Sequence, residues 1–99
     1  ICEVLKTLNV QVKTFEDITG VVGVLQGEKK SPGKTRTLAL RADIDALPVQ
    51  ETGTKDYKSI NDGIMHACGH DANTAILLGV AKKICDSGLM KEIAGNVKL

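Results

Sequence analysis

Thr35-Arg-Thr-Leu-Ala-Leu-Arg-Ala-Asp43 alternates in hydropathy, putting Leu38, Leu40 and Ala42 on one face and Ala39, Arg41 and Asp43 on the other. A period of two predicts a strand. The residues that follow, 46–69, hold Pro48, Gly53, Gly63 and Gly69 among polar side chains and keep no period, which predicts a long loop of the kind that is usually functional. Beyond it Ile76, Leu77, Val80 and Ile84 recur at helical spacing. A helix is predicted from about Thr74 to Asp86, with Asp71 or Asn73 as its cap and Gly88 just past its end. Strand, long loop, helix is the skeleton of an α/β fold.

Working outward, Ile1, Val4, Leu5 and Leu8 share one helical face and Asn9 is placed to stop that helix. Val10 and Val12 alternate with polar neighbours as a short strand, and residues 20–27 (GVVGVLQG) read as another between glycines. Residues 28–34 (EKKSPGK) form a turn around Pro32-Gly33, so a hairpin is expected between the strand near 21 and the strand near 37. Asn96 to Leu99 opens a last strand. The expected whole is a partial α/β sheet built from strands near 10, 21, 37 and 97 with flanking helices near 1 and 74, within one domain that begins inside one element and stops inside another.

Ninety-nine residues with 42% hydrophobic and 25% charged side chains suit a single soluble core. Thirteen basic and twelve acidic groups are spread evenly over both halves, and there is one Tyr, one Phe and no Trp. No basic stripe or stacking surface is available, which argues against nucleic acid and anionic membrane as partners. The longest apolar run, Ala75–Ala81, is far shorter than the roughly 20 residues needed to span a bilayer. Three cysteines without C-x-x-C spacing fit neither a disulfide framework nor a zinc ribbon, and point to a reducing, cytoplasmic setting.

Two constellations carry chemistry. Both histidines fall in Met65-His66-Ala67-Cys68-Gly69-His70-Asp71, beside one of the three cysteines. Imidazole and thiolate are the side chains that zinc and other late first-row metals prefer, and a glycine between Cys68 and His70 lets the backbone bend so that both face one ion. The competing reading is a buried cysteine beside two loop histidines, and a third is a redox-active Cys68 activated by a neighbouring histidine. Asp71 is a ligand, an acceptor for a histidine N–H, or only the helix cap. In Arg41-Ala42-Asp43-Ile44-Asp45 the two acids share a face if the strand continues, and like charges that close call for a cation or a shared proton. Alternatively they are solvated strand-end acids paired with Arg41. Cys2 and Cys85, spaced among Ile, Val and Ala, read as core residues, and Glu51 as an exposed loop acid, the alternative being an acid that touches a substrate.

Residues 37–51 (TLALRADIDALPVQE), then 63–71 (GIMHACGHD) and 74–84 (TAILLGVAKKI), resemble the amidohydrolase branch of the dinuclear metallopeptidases. That branch includes hippurate hydrolases, N-acyl-amino-acid amidohydrolases or aminoacylases, and hydrolases of indole-3-acetyl-amino-acid conjugates. The resemblance implies that Cys68 and His70 are metal ligands, and that Asp45 belongs to the catalytic centre as an orienting acid. It leaves Asp43, His66 and Asp71 as further groups around the ligands. Asn73 departs from the pattern, where the family commonly has histidine. Two divalent ions, Zn or Mn, a small-molecule N-acyl amino acid substrate and a possible homo-oligomer are likewise implied. The resemblance further implies metal-dependent amide hydrolysis, with the general base and remaining ligands beyond Leu99, so that the 99 residues are the N-terminal part of a catalytic domain and inactive alone. The alternative is a non-catalytic fragment, or a small metal-binding or interaction domain.

Overall fold

The computed structural model describes residues 1–99 throughout, in the order α1 (Cys2–Thr7), β1 (Gln11–Thr14), β2 (Val21–Gln26), β3 (Thr37–Ala39), α2 (His70–Asp86), a 3₁₀ turn (Leu89–Lys91) and β4 (Asn96–Lys98). It divides into two compact units, one formed by residues 1–41 with 76–99 and the other by residues 42–75.

The first unit is built on a four-stranded mixed sheet of order β1-β2-β4-β3. β1 pairs antiparallel with β2, and β2 antiparallel with β4, while β3 runs parallel to β4 with Leu38 opposite Val97. The expected hairpin between β2 and β3 is therefore corrected: β4 lies between them and takes the hydrogen bonds of both. The Pro32-Gly33 turn reverses the chain, but the pairing partner comes from some sixty residues downstream, so local turn chemistry could not reveal it. β3 is also shorter than its alternation suggests, although Leu40 N–H still donates to the Lys98 carbonyl at 2.8 Å.

Leu5, Val10, Leu25, Ala81 and Val97 form the core, drawn in turn from α1, the residue before β1, then β2, α2 and β4. Cys85 packs against it, half-buried, as the helical spacing predicts. The stop at Asn9 has a definite mechanism. Asn9 takes a left-handed φ of 57°, its N–H donates to the Lys6 carbonyl, and Val10 N–H donates to Leu5, both at 3.0 Å. This pair of bonds satisfies carbonyls that a helix end leaves without partners. Gly27 serves a different need. A Cβ there would run into the carbonyl oxygens of Gly95 and Ile93, so only glycine lets the end of β2 approach the segment leading into β4.

Helix α2 begins at His70, four residues before the expected start, which corrects the assignment of Asp71 or Asn73 as its cap. Asn73 N–H already donates to the Gly69 carbonyl at 3.1 Å, so Asp71 and Asn73 both lie in the first turn. The apolar period begins only at Ile76 because the preceding turn, His-Asp-Ala-Asn, carries polar groups, and hydrophobic spacing cannot mark such a turn.

Candidate functional site

The second unit, residues 42–75, holds Asp43 and Asp45 and the whole of Met65–Asp71, and brings Asp45 to both histidines. Its frame is an antiparallel pair, Leu47 with Met65, joined by Leu47 N–H to the Met65 carbonyl at 2.8 Å and Met65 N–H to the Leu47 carbonyl at 3.0 Å. The pairing goes no further as regular sheet. Pro48 has no N–H to give, and Val49 N–H turns back onto the Leu47 carbonyl at 2.8 Å.

Just before that pair, Asp45 contacts both histidines. Its carboxylate oxygen Oδ1 lies 2.8 Å from His70 Nδ1, and its backbone carbonyl lies 3.1 Å from His66 Nδ1. A carboxylate and a carbonyl can only accept, so both imidazoles carry a proton on Nδ1 and donate it to Asp45. In each neutral ring the lone pair is then on Nε2, the atom free to bind an electrophile or a metal. One residue thus sets the tautomer of both histidines, through its side chain for one and its main chain for the other. The resemblance implies that Asp45 orients a ligand, and the structure shows its contact with His70; His66 acquires a partner that no spacing rule suggests.

The other expected residues are placed as follows. Cys68 is a free, exposed thiol, and His70 stands two residues later with its side chain 21% exposed. Between them Gly69 has φ of 82°, a left-handed conformation that glycine adopts without strain, and it makes the corner from loop into α2. Asp43 is half-buried, and its backbone carbonyl accepts from Thr74 Oγ1 at 3.1 Å. That bond ties the strand-end segment to the first turns of α2. Asp43 and Asp45 do not extend a strand as a matched pair of acids: the regular strand ends at Ala39, and Asp45 finds its compensation in an imidazole N–H. Asp71 is exposed in the first turn of α2, where an acid suits the helix dipole. No group of three or more His, Cys, Asp or Glu side chains is placed to hold a metal ion; what the chain brings together is Asp45 with the two histidines.

Glu51, read from the sequence as an exposed loop acid, and Gln50, not singled out there, are both engaged. Glu51 Oε2 accepts from Ser59 N–H and Gln50 Oε1 accepts from Gly63 N–H, both at 2.8 Å. The one signal in the sequence for this is Pro48, which ends backbone pairing and leaves the next residues to bond by other means.

Residues 39–98, more than half of the chain and the part that holds both constellations, match the family model for peptidase family M20/M25/M40. The chain belongs to this family. Among curated M20 relatives, a thermostable carboxypeptidase of Saccharolobus solfataricus is 50% identical over 100 residues, covering 100% of this chain and 24% of its own. An N-acyl-L-amino acid amidohydrolase of Geobacillus stearothermophilus is 49% identical over 80 residues, 81% of this chain and 20% of its own. Among solved M20 structures, a Bacillus subtilis protein described as a dinuclear metal binding peptidase superposes with a TM-score of 0.81 at 34% identity, over 98% of this chain and 26% of that one. The chain therefore spans about a quarter or less of the M20 proteins it matches, and its mixed sheet and helices correspond to one part of their fold.

Proposed function

We propose that this chain supplies the Cys68/His70 side of a divalent-metal centre in an enzyme that hydrolyses the amide bond of N-acyl amino acids or similar conjugates. The observation behind it is the double use of Asp45, which leaves Nε2 of His70 with its lone pair two residues from an exposed thiol. Thiolate and imidazole nitrogen suit zinc, and the carboxylate nearby leaves manganese open as well. A second donor partner and the general base would come from outside these 99 residues. Family membership and the amidohydrolase named among its relatives point the same way.

A bound divalent ion would polarise the scissile carbonyl and activate water. The chain's own residues have narrower tasks. Asp45 holds the Nδ1 proton of His70, which leaves Nε2 as the nitrogen that would bind an ion and would make it a better donor. Gly69 turns the chain so that Cys68 and His70 can face one point. Thr74, through the Asp43 carbonyl, fixes the segment bearing Asp45 to the same helix that begins with His70. Three free cysteines suit the reducing, cytoplasmic setting the sequence suggests, and no helix is long and apolar enough to cross a membrane.

The test is release of free amino acid from several N-acyl amino acids by the full-length protein with added metal. Chelator-sensitive turnover is expected, lost in Cys68→Ala and retained in Cys85→Ala, whose side chain packs against the core. Full activity in Cys68→Ala would refute the ligand assignment, and the absence of turnover on every acyl substrate would refute the substrate class.

A further inference from the structure

The site depends on how the segment ending in His66, Cys68 and His70 meets the segment beginning at Asp45. Five contacts link these two segments in antiparallel order: Asp45 with His70, Asp45 with His66, Leu47 with Met65, Gln50 with Gly63 and Glu51 with Ser59. Only the middle one is regular strand pairing. On the site side of it the bonds are made by the histidines, and on the far side by the side chains of Gln50 and Glu51.

We propose that Gln50 and Glu51 are positioning residues of the site: their side-chain oxygens continue the pairing that Pro48 interrupts, and so fix the register at which His66–His70 is set against Asp45. Without them the Leu47–Met65 pair would be the only hydrogen-bonded tie described on the loop side of the histidine contacts, the Thr74–Asp43 bond lying on their other side, and a single pair of bonds resists fraying and a one-residue slip poorly. Such a slip would carry Nδ1 of His70 away from Asp45 Oδ1. The two side chains can do this because each presents an acceptor to a backbone N–H, at 2.8 Å in both cases, in a stretch with no regular secondary structure to satisfy those donors. Glu51 and Ser59 are half-buried, so their bond is partly shielded from competing water.

This reading differs in chemistry from a Glu51 that touches a substrate or an ion. What the clasp needs is an acceptor oxygen, which glutamine also has; what a substrate or metal contact needs is the negative charge, which glutamine lacks. Gln50→Glu likewise keeps an acceptor and Gln50→Ala removes it.

The proposal rests on Cys68 and His70 as ligands, and the experiment separates the two. Zinc affinity of the full-length protein is measured by competition with a chromophoric chelator for the parent, Gln50→Ala, Gln50→Glu, Glu51→Ala, Glu51→Gln, Cys68→Ala and His70→Ala. Val97→Ala, in the core of the other unit, controls for general destabilisation. Glu51→Ala and Gln50→Ala should weaken zinc by about 3- to 10-fold, below the 10- to 100-fold typical when a ligand's direct partner is lost. Glu51→Gln and Gln50→Glu should restore binding to about twofold of the parent, and Val97→Ala should leave it unchanged while lowering the melting temperature. Parental affinity in Glu51→Ala, or Glu51→Gln as weak as Glu51→Ala, would overturn the clasp while leaving the ligand pair standing. Should Cys68→Ala and His70→Ala bind zinc like the parent, the metal reading falls by itself. The clasp is then judged by amide hydrogen exchange over residues 59–66, which must quicken in Glu51→Ala and recover in Glu51→Gln, and unchanged exchange would overturn it.

Discussion

Removing the Asp45 side chain should weaken metal binding by about tenfold, and the structure says why the loss is no larger. The bond from His70 Nδ1 to Asp45 Oδ1 is short, 2.8 Å, and assisted by the carboxylate charge. Partners of this kind are worth about 10- to 100-fold in metal affinity, or about 1.4 to 2.7 kcal/mol. Two features place Asp45 at the low end. Its side chain is 63% exposed, so water screens the charge that strengthens the imidazole. The contact to His66 uses the backbone carbonyl, which Asp45→Ala leaves in place. Asp45→Asn should do less harm, about threefold, because the amide oxygen can still accept the Nδ1 proton while the charge is gone. The assay is zinc competition against a chromophoric chelator at fixed pH, on full-length protein, with Cys68→Ala as the reference for loss of a ligand. Asp45→Ala within twofold of the parent, alongside a large loss in Cys68→Ala, would refute the claim that Asp45 sets His70 for binding.

Two predictions concern the fold. Gly27→Ala should destabilise by about 1 to 3 kcal/mol or more in denaturant titration, because the new methyl meets backbone carbonyls of Ile93 and Gly95 that cannot turn aside; parental stability would mean the β2–β4 approach is looser than described. At the left-handed Asn9, Asn9→Gly should be neutral or slightly stabilising, whereas Asn9→Ala should cost about 1 kcal/mol by the same titration.

Where sequence reading succeeded and where it failed follows from the range of the interactions involved. The strand around Leu38, the helix over Ile76 to Ile84 and the stop at Asn9 are local and are found, but β3 is shorter than the alternation suggests, and the face of α2 that meets the core carries Leu78, Ala81, Ile84 and Cys85 while Ile76 and Val80 stay exposed. The pairing of β2 is not local: Val24 and Leu25 meet Lys98 and Val97, and nothing in residues 28–34 reports that a distant strand will enter between β2 and β3. The first turn of α2 escaped the apolar pattern because it is rich in polar residues, His70, Asp71 and Asn73. His66, Cys68 and His70 stand out as a group because such side chains are rare and closely spaced here; Asp45 lies far away in sequence, and only the family resemblance joins it to them. That Asp45 bonds both histidines, and that Gln50 and Glu51 close the same ladder, depends on a loop conformation that hydropathy does not encode.

Cobalt substitution of the full-length protein asks whether Cys68 ligates a metal together with His70. A thiolate bound to Co²⁺ gives a near-ultraviolet charge-transfer band, and the three cysteines supply their own controls. The band should appear in the parent, persist in Cys2→Ser and Cys85→Ser, and vanish in Cys68→Ser. A band that survives Cys68→Ser, or a parent that binds cobalt without one, would contradict the account.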